Sequence, residues 1–114
     1  MPIEIKFLGT TNYSRTWQEM KQFINQSDSR EELWITEHEP VFTTGVNKKN
    51  CMLPTTKIPH LFVDRGGKIT YHGPGQLIIY TLVNLKKNYL TIRQFVSILE
   101  NSVIDFLNMN GIIS

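Results

Sequence analysis

Residues with chemical uses gather in positions 65–80, which read Arg-Gly-Gly-Lys-Ile-Thr-Tyr-His-Gly-Pro-Gly-Gln-Leu-Ile-Ile-Tyr. Arg65 supplies a fixed cation, Thr70, Tyr71 and Gln76 supply donors and acceptors, and His72 is a candidate base. Four glycines and one proline fall among the first eleven residues of this stretch. An ordinary strand does not tolerate that density, because glycine weakens strands and proline cannot donate to the ladder. Such residues belong where the backbone turns sharply or lies against something. Two readings stay open from the residues alone. Gly66-Gly67 can be a hairpin turn between residues 61–63 and 68–71, with Gly73-Pro74-Gly75 a second tight turn. Alternatively the stretch is a binding loop mounted on the apolar strand that follows it.

Two other groups invite chemistry. Glu37 and Glu39 flank His38, a pattern that suits general acid–base work, but Pro40 follows at once and favours a solvated turn between two strands. Cys51 has Lys48 and Lys49 close by, and neighbouring cations lower a thiol pKa. It can equally be an incidental loop thiol. The three histidines, His38, His60 and His72, stand 22 and 12 residues apart. Those separations match no short metal-ligand spacing, so no metal is expected.

Composition sets the bounds. With 114 residues, 40% of them hydrophobic, the chain is one domain or part of one. A formal charge of +2 without blocks of like charge gives no argument for nucleic acid. A single cysteine excludes an internal disulfide and fits a reducing compartment. No long apolar run suggests a membrane span and the first residues do not resemble a secretion signal, so a soluble cytoplasmic protein is expected.

The elements that must position these groups follow from periodicity. Residues 2–8 alternate Ile3, Ile5 and Phe7 with Glu4 and Lys6, predicting a half-buried strand. Residues 9–12 supply a turn and N-cap candidates, after which Tyr13, Trp17, Met20 and Ile24 predict one amphipathic helix. Residues 33–36 read as a second strand, with a further strand beyond the turn. Residues 46–60 read as a surface loop, and 61–63 as a short strand. The apolar run 77–83 predicts a central strand buried on both faces. Thr91 with Gln94 has the form of a capping box, opening a helix whose stripe runs from Ile92 to Leu107 and ends at Gly111. Residues 112–114 read as the start of another strand.

Taken together, these motifs resemble one family. Arg65-Gly66-Gly67, Thr70-Tyr71-His72 and Gly75-Gln76 match R-G-G-x-x-T-Y-H-x-x-G-Q, the pattern of the lipoyl(octanoyl) transferases. Upstream, Glu37-His38, Pro40 to Thr43 and Gly45 resemble a second feature of those enzymes, E-H-x-P-V-F-T-x-G. The resemblance implies an α+β fold like the catalytic domain of biotin and lipoate protein ligases, with a mixed sheet and helices packed on one side. It covers nearly all of residues 1–114 but about half of that family's domain, its amino-terminal part. Apolar surface is therefore expected to stand exposed where the remaining strands belong.

The resemblance also implies an activity. These enzymes move an octanoyl group from acyl carrier protein to a lysine of lipoyl domains, those of 2-oxoacid dehydrogenases and the glycine cleavage H protein, through a covalent acyl-enzyme. They use no cofactor and are expected to be monomeric when complete. Residues 65–72 (Arg65, Gly66, Gly67, Lys68, Ile69, Thr70, Tyr71 and His72) would line the acyl pocket, supported by Gly73, Gly75 and Gln76. Gly66 and Gly67 would let the backbone approach the ligand. Ile69 and Tyr71 would offer apolar surface, alternating with Thr70 and His72, while Arg65 could instead pair with Asp64. No catalytic residue is expected in this chain, since the family's cysteine and lysine correspond to positions beyond Ser114. Two rival readings remain: an ATP-dependent lipoate or biotin ligase, and a non-catalytic protein that binds acyl chains or lipoyl domains.

Overall fold

The computed structural model describes residues 3–26, 30–45, 57–64 and 67–113. Two compact units divide the chain, Met1–Leu82 and Val83–Ser114. Among the described residues the first holds six strands and one helix: β1 (Glu4–Thr11), α1 (Tyr13–Asn25), β2 (Glu32–His38), β3 (Val41–Thr44), β4 (His60–Phe62), β5 (Ile69–His72) and β6 (Ile78–Leu82). The second holds α2 (Ile92–Met109). This is the α+β class with mixed sheets, and the described strands form two three-stranded sheets where one was expected.

In the first sheet the order is β1-β2-β6, with β2 parallel to β1 and antiparallel to β6. The run 77–83, expected to be central and doubly buried, is instead an edge among the described strands, and Leu77 and Ile79 are exposed. The central strand is β2. Its buried side is the polar one, Glu32, Trp34, Thr36 and His38, while Leu33 and Ile35 on the other face are half-buried. Burying such groups is costly unless they are hydrogen-bonded. Here Trp34 Nε1 donates to Glu32 Oε1 at 2.8 Å, Lys6 Nζ stands 3.1 Å from the same oxygen, and Thr36 Oγ1 donates to the Gly9 carbonyl at 2.7 Å. Burial raises the pKa of the Glu32 carboxyl, but the bonds from Trp34 and Lys6 and the charges of Lys6 and Arg30 outweigh it and hold the value below the ordinary one.

Residues 9–11, expected to turn, extend β1 instead. The register slips between Phe7 and Gly9, and Gly9 takes a φ of 71°, so the glycine absorbs a bulge and the ladder resumes. The turn expected over residues 9–12 shrinks to Asn12, whose Oδ1 accepts the Arg15 N–H at 3.1 Å and caps α1. α1 lies over the polar face of β2: the Phe23 ring meets Trp34 at 5.9 Å and Tyr13 meets His38 at 5.1 Å between centroids. Thr16 and Met20 are buried between them. Ile24, expected in that stripe, is 65% exposed, and Phe23 takes its place one residue earlier.

The second sheet has the order β4-β3-β5, with β3 parallel to β4 and antiparallel to β5. β4 and β5 therefore do not pair as the expected hairpin: β3 lies between them. Most of the loop at 46–60 lies outside the described residues, and its last residue, His60, opens β4.

In the second unit, Asn84 Oδ1 accepts the Lys87 N–H at 2.9 Å inside a compact turn in which Tyr89 takes a positive φ of 56°. Thr91 and Gln94 form the expected capping box, with bonds of 3.1 and 2.9 Å. α2 closes in a Schellman motif: Ile112 N–H donates to Leu107 O at 2.9 Å, Gly111 N–H donates to Asn108 O at 3.0 Å, and Gly111 has φ 77°. Ile112 is thus used in this stop, and neither it nor Ile113 lies in a strand. Val103 and Phe106 of α2 are exposed, as are Ile5 and Phe7 of β1, in line with the expected bare apolar surface. Among the described residues no helix is long and apolar enough to cross a membrane.

Candidate functional site

The two sheets meet where β2 passes into β3 through Glu39-Pro40, and the chemistry-bearing residues converge there. The bend is exposed, but His38 just before it is 0% exposed, not part of a solvated turn. Its ring is held at both nitrogens. Nδ1 lies 3.2 Å from the Thr11 carbonyl and 3.2 Å from Thr11 Oγ1, and Nε2 lies 2.7 Å from Tyr80 Oη on β6. A carbonyl only accepts, so Nδ1 carries the proton and Tyr80 donates its hydroxyl to Nε2.

The electrostatics agree with that assignment. Burial lowers the His38 pKa, the bond to Thr11 opposes the shift, and nearby His72 reinforces it. Burial, with Tyr13 beside it, pushes the Tyr80 phenol well above its ordinary value. Both groups are therefore neutral near pH 7, a donor–acceptor pair with no buried charge.

β5 brings the glycine-rich motif against this pair. Its register sets Val41 opposite His72, Phe42 opposite Tyr71, Thr43 opposite Thr70 and Thr44 opposite Ile69. Alternation therefore divides the expected pocket residues between two faces. Thr70 and His72 share one, where Thr43 Oγ1 and Thr70 Oγ1 are 3.0 Å apart and Thr70 Oγ1 is 3.5 Å from His72 Nε2. Ile69 and Tyr71 share the other, where Tyr71 meets Phe42 at 5.2 Å between ring centroids. Lys68 is exposed and its carbonyl accepts the Gly45 N–H at 3.4 Å. Gly67 takes a φ of 96°. Arg65 and Gly66 lie outside the described residues, as do Lys48, Lys49 and Cys51.

The supporting residues form one turn. Gln76 N–H donates to Gly73 O at 3.2 Å, with Pro74 and Gly75 between, and Gly75 has φ 90°. Proline followed by a positive-φ glycine is the type II pattern. Gly73 is buried under the Tyr71 ring: a Cβ there would stand 2.2 Å from Tyr71 Oη. Gln76 reaches back with Nε2 toward the Tyr71 carbonyl at 3.5 Å and with Oε1 to His72 Nδ1 at 2.6 Å. The amide oxygen accepts, so Nδ1 of His72 is protonated and Nε2 is its lone-pair nitrogen. That nitrogen can take a proton or accept a bond from a ligand.

Tyr13 joins the two histidines. It stacks on His72 at 6.1 Å with planes 4° apart and meets His38 edge-on. In the sequence Tyr13 and Tyr80 stand out only as a helix-stripe and a strand residue. The signal that marks them is a hydroxyl at a position where periodicity asks only for bulk. Two concavities border the cluster. One of about 110 Å³ is lined by residues that include Tyr13, Pro40, Val41 and Leu61, and one of about 410 Å³ by residues that include Thr11, Arg15 and Glu39. Neither takes a wall from residues 67–76.

An α+β unit with mixed sheets and a His–Tyr cluster at the junction of its sheets is a general description, and comparison makes it specific. Residues 12–114 match the lipoyl protein ligase A/B catalytic domain. The chain belongs to that family. It is 47% identical over 108 residues to an octanoyltransferase of Shewanella frigidimarina, covering 92% of this chain and 50% of that protein. It is 44% identical over 115 residues to an octanoyltransferase of Chromobacterium violaceum, covering 98% of this chain and 56% of the relative. A third octanoyltransferase, from Vesicomyosocius okutanii, is 48% identical over 103 residues, 88% of this chain and 50% of the relative. The chain thus spans about half the length of the curated relatives it matches.

Proposed function

We propose that this chain is the acyl-binding part of an octanoyltransferase that moves an octanoyl group from acyl carrier protein to a lysine of a lipoyl domain. The observation that carries the reading is its identity of 47% across 92% of its length to a relative named octanoyltransferase. The geometry supplies a role for its residues. His72, oriented by Gln76 and backed by Tyr13, turns its lone-pair nitrogen Nε2 toward Thr70. A thioester or its tetrahedral adduct brought to this face would meet a hydrogen-bonding, proton-accepting group. By the family resemblance Arg65, Gly66, Gly67 and Lys68 also serve the acyl group in this reading, and Ile69 and Tyr71 serve it from the opposite face of the strand.

The transfer is a double displacement. A cysteine thiolate attacks the thioester carbonyl and the carrier sulfur leaves, taking the proton that the enzyme's lysine had removed from the cysteine. The acceptor lysine amine then attacks the acyl-cysteine, the cysteine thiolate leaves, and the amine's surplus proton returns to the enzyme's lysine. By family resemblance, the cysteine and its lysine partner belong to the part of the domain that this chain does not span. Octanoyl-acyl carrier protein and lipoyl domains, including the glycine cleavage H protein, are the proposed partners, the complete enzyme is a cytoplasmic monomer, and no cofactor enters.

The test uses a completed domain, this chain joined to the second half of the Shewanella frigidimarina relative. It is given octanoyl-acyl carrier protein and a lipoyl domain without ATP, and the lipoyl domain is weighed. A gain of one octanoyl group supports the reading. Transfer that requires ATP and free octanoate would make the protein a ligase, and acyl binding without turnover would make it a binding protein.

A further inference from the structure

The two sequence motifs pair along β3 and β5, and beyond that ladder a side chain of the first reaches the turn of the second. Glu37 Oε1 accepts the backbone N–H of Gly75 at 2.5 Å. That amide belongs to the Pro74–Gly75 peptide, the central peptide of the turn from Gly73 to Gln76. Type I and type II turns differ by a flip of this one peptide, which reverses the direction of the N–H and changes φ of the third residue from negative to positive. Gly75, at φ 90°, is in the type II state. We infer that Glu37 is a positioning residue for His72: its carboxylate holds the Pro74–Gly75 peptide in the type II orientation, and this sets Gln76 where its amide oxygen fixes the tautomer of His72.

Each link is short and has a direction. Glu37 is the penultimate residue of β2, beside His38, so the buried histidine anchors the backbone from which the carboxylate reaches. Gln76 follows Gly75 directly, and its side chain makes two contacts, one to the Tyr71 carbonyl and one to His72 Nδ1. With the peptide flipped, the acceptor at Glu37 would face a carbonyl oxygen instead of an N–H, which is repulsive. Without Glu37, both turn types are open to a Pro-Gly pair. Gln76 then has no single position, and the proton of a neutral His72 is free to occupy either nitrogen. The consequence for catalysis rests on the reading of His72 as facing the acyl group, while the link to the ring tautomer does not.

The test is nitrogen-15 NMR of the His72 ring in the full chain, at a pH where the ring is neutral. Nδ1 is expected in the pyrrole-type range and Nε2 in the pyridine-type range. Glu37→Ala and Gln76→Ala should each draw the two shifts toward one another as the tautomers mix. Glu37→Gln keeps a carbonyl acceptor for Gly75 and should restore the original separation. The inference is overturned if Glu37→Ala leaves that separation unchanged. A second measurement needs no variant: the Gly75 amide proton shift in the unaltered chain should follow the titration of the Glu37 carboxyl, and an amide indifferent to it overturns the link. Both readouts are independent of acyl transfer, so failure of the transferase reading would leave their meaning intact.

Discussion

The ring of Tyr13 is stacked on that of His72, with centroids 6.1 Å apart and planes 4° from parallel, while its edge meets buried His38. One residue of α1 thus fixes the rotation of a side chain on β5. Aromatic pairs of this kind contribute about 0.5–1.5 kcal/mol beyond burial. Tyr13→Ala should therefore cost about 1 kcal/mol of stability and, in the completed domain, lower the transfer rate about tenfold, the loss matching roughly 1.4 kcal/mol of transition-state stabilisation. Tyr13→Phe keeps the stack and should retain most of the rate. Denaturant melts and single-turnover transfer assays check the two halves of this statement.

His38 makes stability depend on pH. Its pKa is lowered in the folded chain, so the unfolded chain binds more protons once pH falls to the ordinary imidazole value, about 6.5. Stability should be full above that value, decline as pH falls through it toward the depressed native pKa, and level off below. Urea midpoints measured from about pH 8 down to about pH 5, above the carboxylate range, should show this slope. His38→Gln should flatten it, at the expense of a lower plateau.

Gly73 and Gly75 are needed for different reasons. A Cβ at Gly73 would meet the Tyr71 ring, whereas at Gly75 nothing lies within 4 Å and the barrier is its φ of 90°. Gly75→Ala should cost about 1–2 kcal/mol through backbone strain, whatever its neighbours. Gly73→Ala should instead be relieved by Tyr71→Ala, because removing the ring removes the clash. A double-mutant cycle on thermal stability should give a coupling of roughly 1 kcal/mol for 71 with 73 and almost none for 71 with 75.

Much of this architecture is legible in the residues. The strand β1, the Asn12 cap, the Thr91–Gln94 box and the Gly111 stop are local devices, so sequence neighbours reveal them, whereas the half-burial expected of β1 fails because Ile3, Ile5 and Phe7 are exposed. Long-range choices are not local. Nothing between Leu61 and Tyr71 announces that β3 inserts between β4 and β5, so two glycines look like a hairpin. The polar face of β2 is the buried one because Glu32, Thr36 and His38 find partners on Lys6, Trp34, Gly9, Thr11 and Tyr80, most of them far away in sequence. A histidine between two glutamates and a proline reads as exposed until those partners are known. Glu37 is the sharpest case: its carboxylate looks like an acid–base candidate, and its observed contact is to a backbone amide 38 residues away.

Bare apolar side chains should govern how the isolated chain behaves. Phe7 is 78% exposed and Ile5 56%. Patches of this kind drive association. Ile5→Thr with Phe7→Ser should raise the concentration at which the chain self-associates, read by light scattering, and change stability by no more than about 0.5 kcal/mol per site, since little burial is lost.

The central claim is that His72, oriented by Gln76 and Tyr13, acts on the acyl group. The most direct test is octanoyl transfer by the completed domain carrying His72→Ala, with its folding checked by circular dichroism. The account predicts a folded protein whose transfer rate falls roughly a hundredfold, the scale of a lost acid–base or orienting group. An unchanged rate in a folded variant would contradict it.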